Sequence, residues 1–125
     1  MILQNGLSAE STAMVTNELT AKHLGSGDME VLATPAMIAL MENAAMRAVT
    51  QSLDEGQTTV GVEISTSHLK ASKLGAEVRA VAELTEVEVR RLTFRVAAYE
   101  GEVLLGEGVH TRFVVDRERF LAKLA

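Results

Sequence analysis

The chain has 125 residues, 47% apolar and 23% charged, which is the size and make-up of one globular domain with a real core. Its net charge of −5 argues against non-specific nucleic-acid binding, and the absence of cysteine excludes disulfides, thiolate nucleophiles and Cys-ligated metals. No stretch approaches the roughly 20 apolar residues of a membrane span, and the N-terminus lacks the basic patch and cleavage site of a secretory signal, so a single cytoplasmic domain over 1–125 is expected, with no membrane or nucleic-acid partner.

Residues 1–11 carry no clear period and read as an extended N-terminal arm. The stretch 12–19, TAMVTNEL, is moderately β-like and is expected to form the first strand. A helical turn near 22–24 is followed by the breaker cluster Gly25-Ser26-Gly27-Asp28, a connector or lid ahead of the main helix.

That helix is predicted over 33–49, ATPAMIALMENAAMRAV, with Thr34 as its cap and Pro35 in its first turn. Met37, Leu40, Met41, Ala44 and Ala48 fall on one face at a 3.6-residue period, and Ile38, Ala45 and Val49 widen it, so the helix reads as buried almost all the way round. One carboxylate sits in it. The residues three and four positions from Glu42 are Ile38, Ala39, Ala45 and Met46, all apolar, and Arg47 projects roughly 140° away around the helix. An unpaired carboxylate is costly to take out of water, so Glu42 is expected either to find a partner from another element or to be held for chemistry.

Beyond a turn at Asp54-Glu55-Gly56-Gln57, everything up to residue 115 reads as strands. Val60, Val62 and Ile64 alternate with Gly61, Glu63 and Ser65 in a strand running to about Leu69, and Thr66 and His68 share the parity of the apolar set. Val78, Ala80, Ala82 and Leu84, a tight turn over 86–90, and then Leu92, Phe94, Val96 and Ala98 make a long hairpin. After a turn over 99–102 the last strand carries Val103 and Leu105, a kink or bulge at Gly106-Glu107-Gly108, then Val109, Phe113 and Val115. Asp116 is expected to cap a closing helix over 117–124. One long helix between a first strand and an antiparallel meander is an α+β pattern in which the sheet curls round the helix, and a second copy of the chain covers the apolar surface left over.

The candidate chemistry is a hydroxyl, a carboxylate and an imidazole: Thr34, Glu42 and His68. Together they suggest acyl chemistry, with His68 moving protons and Glu42 acting as acid, base or nucleophile. Residues 34 and 42 stand roughly 12 Å apart along a helix, so they meet across a substrate or across two subunits. Gly61, inside a strand, permits close packing or the close approach of a ligand. His23 and His110 carry weaker signals. No ligand spacing supports a metal site.

The runs VLATPAMIALMENAA, QTTVGVEISTSHLKAS and RRLTFRVAAYEGEVLLGEGVHTRFVVDRERF resemble, in that order, the hotdog-fold thioesterases of the fluoroacetyl-CoA thioesterase-like family, over nearly all of the chain. The resemblance implies a long central helix wrapped by a curved antiparallel sheet, a homodimer, and hydrolysis of a small or medium acyl-CoA. CoA would be part of the substrate, and no further cofactor is expected. It carries the family's Thr onto Thr34, its carboxylate onto Glu42, its His onto His68 and its substrate-holding Gly onto Gly61, with Arg112 of HTRF a further substrate-binding residue. Lys70, Lys73, Arg90, Arg91 and Arg112 are candidate partners for the CoA phosphates. The segment ahead of the helix has no aromatic ring to close over a fluorinated acyl group, so that substrate is not carried over. Two other readings stand beside hydrolysis: hydration of an enoyl-CoA, and acyl-CoA binding without turnover.

Overall fold

A computed structural model describes residues 3–125. The chain runs β1 (Ser8–Met14), a 3-10 turn (Asn17–Leu19), α1 (Ala21–Leu24), α2 (Thr34–Thr50), β2 (Gln57–His68), β3 (Glu77–Glu88), β4 (Arg91–Glu100), β5 (Val103–Asp116) and α3 (Arg117–Ala122). The strands form one antiparallel sheet in the order β1-β3-β4-β5-β2. Because β1 and β2 are opposite edges, the segment between them has to cross a face of the sheet, and α2 is that crossing. It packs chiefly on β1 and β3.

The alternation along the β3–β4 hairpin decides which face it crosses. Val78, Ala80, Ala82 and Leu84 on β3 and Leu92, Phe94, Val96 and Ala98 on β4 are all buried against Met37, Met41, Ala44, Ala45 and Val49 of α2. Three of the strand residues are alanine, which lets the helix backbone lie close to the sheet, while Phe94, Met37 and Met41 fill the remaining depth. The architecture is the α+β arrangement expected from the pattern, and it is the hotdog fold that the family resemblance implied.

Several local expectations are corrected. The first strand is Ser8–Met14, not 12–19, so residues 8–11 belong to the sheet edge instead of an arm. Residues 1 and 2 of that arm lie outside the described residues. The helix is buried along one face only: Thr34, Pro35 and Ala39 are exposed and Ala36, Ile38, Leu40 and Ala48 half-buried in the single chain. Its cap position is Ala33, with no side-chain cap bond, and Thr34 is the first helical residue. Asp116 stands at the cap position of α3 but makes no side-chain bond there, and that helix ends at Ala122.

The expected kink in β5 is a register shift one step earlier: Ala98 faces Gly106 while Tyr99 faces Leu104, leaving Leu105 as the extra residue. Gly106 is glycine for a steric reason, since a Cβ there would strike the Ser67 carbonyl and lie 2.9 Å from the Met37 sulfur.

Candidate active site

Strand β2 carries one side of the site. Its pairing with β5 slips between Gly61 and Glu63, so Val62 is an extra residue and the side-chain alternation inverts there. Without the bulge Gly61 and His68, seven residues apart, would face opposite sides. With it, both face α2: His68 meets Thr34 and Gly61 meets Glu42. The simple alternation had grouped Val62 with His68; Val62 instead is exposed.

The five expected residues separate into two groups. In the first, Thr34 Oγ1 and His68 Nδ1 share a hydrogen bond of 2.7 Å. The Thr34 hydroxyl is therefore engaged by an imidazole from β2 and does not cap its own helix. His68 Nε2 is buried and, among the described residues, has no hydrogen-bond partner. The pair lines a cavity of about 240 Å3 with Leu32, Leu69 and Lys70.

In the second group, two turns along α2, Glu42 stands over Gly61. A Cβ at Gly61 would lie 3.1 Å from Glu42 Oε2, 3.2 Å from His110 Cε1 and 3.3 Å from Arg112 Nη1, so the missing side chain is the space these three groups share. Glu42 Oε2 is 4.0 Å from His110 Nε2. The carboxylate is less enclosed than its apolar helical neighbours suggest, with 40% of its side chain exposed in the single chain. Among the described residues it makes no hydrogen bond. Arg47, its nearest cation in sequence, reaches β1 instead, bonding the Glu10 carbonyl and, at 3.2 Å, Ser11 Oγ.

His110 and Arg112 alternate on the inner face of β5, and both are buried. Arg112 donates from Nε to Thr59 Oγ1 at 2.8 Å and from Nη2 to the Thr59 carbonyl at 3.0 Å. Its Nη1 lies 3.2 Å from His110 Nε2, and His110 Nδ1 lies 2.8 Å from the Glu63 carbonyl. Burial pushes His110 below the ordinary imidazole range and neighbouring Arg112 adds to this; the Glu63 carbonyl and Glu42 pull the other way. Burial also lowers Arg112, opposed by Glu42.

His110 is the residue that sequence reasoning undervalued. The available signal was its spacing of two from Arg112, which puts both on one face of the strand. Of the candidate phosphate partners, Lys70 borders the Thr34 cavity, Arg90 donates to the Val114 carbonyl at 3.2 Å, and Arg91 stands 4.0 Å from Glu63. Among the described residues no group of three or more acidic or His side chains could hold a metal ion, and no helix is long and apolar enough to cross a membrane.

The family model for a fluoroacetyl-CoA-specific thioesterase matches residues 15–118. The fluoroacetyl-CoA thioesterase of Streptantibioticus cattleyicolor is 42% identical over 95 residues, which are 76% of this chain and 68% of that protein. The solved structure of the fluoroacetyl-CoA thioesterase FlK superposes with a TM-score of 0.91 at 35% identity, covering 99% of this chain and 96% of that one. A mutant of that enzyme has been solved in complex with acetyl-CoA. A hot-dog-like protein from Thermanaerovibrio acidaminovorans, 21% identical, shares the fold with a TM-score of 0.87 over 98% of this chain and 90% of that one.

Proposed function

We infer that this chain, which belongs to the fluoroacetyl-CoA-specific thioesterase family, hydrolyses a small or medium acyl-CoA thioester to the free acid and CoA. The observation that carries the reading is the 2.7 Å bond between Thr34 and His68 in a cavity, with Thr34 on the same helix as Glu42, a carboxylate that has no hydrogen bond among the described residues.

The chemistry follows from which protons each group can hold. With the Thr34 hydroxyl donating to Nδ1, His68 keeps its proton on the unpartnered Nε2, ready for a leaving thiolate. Glu42 takes a proton from water as the water oxygen bonds to the thioester carbon. When the tetrahedral intermediate collapses, the C–S bond breaks and sulfur leaves as a thiolate, stabilised by a hydrogen bond from His68 Nε2–H. The carboxyl proton of Glu42 then returns to solvent, and the released thiolate takes its proton from solvent. Gly61 keeps open the space between Glu42 and Arg112 into which the acyl group projects, and Lys70 at the cavity edge is suited to the CoA phosphates.

Within one chain the two groups are separated by two turns of helix, roughly 12 Å. Antiparallel pairing of two β2 edges would bring the Thr34–His68 pair of one protomer toward the Glu42 group of its partner, so the working unit in this reading is a homodimer. It would also cover the half-buried Ile38, which lies one turn before Glu42 on the same side of α2.

The test is release of free thiol from CoA esters of graded acyl length. Turnover that peaks at short or medium chains supports hydrolysis. Binding by calorimetry with no thiol released would replace it with a non-catalytic module, and loss of enoyl absorbance without thiol release would replace it with a hydratase.

A further inference from the structure

His110 has no part in the proton transfers above, yet its side chain is fully buried beside the carboxylate that does. Its two ring nitrogens are assigned by their neighbours. The Glu63 carbonyl, 2.8 Å from Nδ1, can only accept, so the ring proton is on Nδ1. A neutral ring then has a bare lone pair on Nε2, which is what Arg112 Nη1 meets at 3.2 Å.

The guanidinium is thereby held at three nitrogens, two by Thr59 and one by His110, with Nη1 aimed at the space over Gly61. A charged ring would donate from both nitrogens. Nε2 would turn a proton toward Arg112, and the acceptor left within reach would be Glu42 Oε2 at 4.0 Å. The groups facing the ring are Glu42 from α2, the Glu63 carbonyl from β2, Phe94 from β4 and Arg112 on β5 itself. The Glu63 carboxylate is turned the other way, toward Arg91.

We propose that His110 is a positioning residue: its Nε2 lone pair pins the Arg112 guanidinium at the space over Gly61 and leaves Glu42 free to work, whereas charging the ring releases Arg112 and ties Glu42 down. The part of this concerning Glu42 rests on the hydrolytic reading; the ring–guanidinium arrangement does not.

Two experiments on the whole protein keep these apart. Imidazole 15N NMR, with His110 assigned by its loss in His110→Gln, is expected to show the neutral Nδ1–H form from pH 6.5 to 8. An Nε2–H tautomer or an imidazolium at pH 7 would overturn the proposal whatever the activity. Thiol release then compares two variants: His110→Gln can offer an amide oxygen near the Nε2 position, and His110→Leu cannot. The Leu variant is expected to lose at least about tenfold in kcat/KM, while the Gln variant retains most activity and no longer shows the acid limb that belongs to His110. In an Arg112→Lys background the two should differ by less than about twofold. Equal losses in Gln and Leu, or an undiminished gap between them in the Arg112→Lys background, would make His110 structural only. No thiol release by the wild-type protein would remove the hydrolytic reading while the NMR result still decides the ring's arrangement.

Discussion

Adding one methyl group at Gly61 tests whether the open space in the site is functional. The new Cβ would stand 3.1 Å from Glu42 Oε2, 3.2 Å from His110 Cε1 and 3.3 Å from Arg112 Nη1, each a few tenths of an ångström inside ordinary contact. His110 and Arg112 are buried and fixed by Glu63 and Thr59, so they cannot yield. Glu42 can, because among the described residues it makes no hydrogen bond and it is 40% exposed. Gly61→Ala is therefore expected to lose about 1 kcal/mol of stability, at the low end of overpacking costs. It should lose far more activity, because the displaced group is the proposed base and the methyl occupies the acyl position. A misplacement of this order predicts a fall in kcat/KM of about ten- to a hundredfold. Thiol release from the best CoA ester, beside thermal unfolding of the same sample, measures both. A folded Gly61→Ala protein with activity within twofold of wild type would refute the reasoning.

Thr34→Ser keeps the hydroxyl that bonds His68 and is expected to retain activity within about threefold; Thr34→Val loses that bond and should fall by about tenfold or more in kcat, read in the same assay. Val89, 91% exposed at the β3–β4 turn with φ of 57°, is a β-branched residue in the left-handed region; Val89→Gly should raise stability by about 1 kcal/mol in urea unfolding without touching activity. Stability should also depend on pH through His110. Its folded value lies below 6.5, so the unfolded chain binds the proton first and stability falls as pH drops below 6.5, by up to about 1.4 kcal/mol per pH unit. Denaturant melts from pH 7.5 to 5 should show this slope in wild type and a shallower one in His110→Gln.

Long periodic segments were legible in the chain. The helix and the β3–β4 hairpin declare themselves because each repeats one alternation for ten residues or more, and a single helix between strands has only a face of the sheet to cover. The segment Ser8–Met14, SAESTAM, has no such signal; pairing with β3 makes it a strand, not its own propensity. Thr34 looked like a cap because the nearest donors in sequence are its own helix, while its actual partner comes from 34 residues downstream. Glu42 stood out locally, but what surrounds it did not: His110 and Arg112 reach it only because β5 pairs with β2. The bulge at Val62, which puts Gly61 and His68 on one side, leaves no mark in the alternation.

The most direct measurement is thiol release by Glu42→Gln, which keeps the size of the side chain and removes its basicity. The account predicts a protein that unfolds at the wild-type temperature within a few degrees and hydrolyses CoA esters at least about a hundredfold more slowly. Wild-type hydrolysis rates in that variant would contradict it.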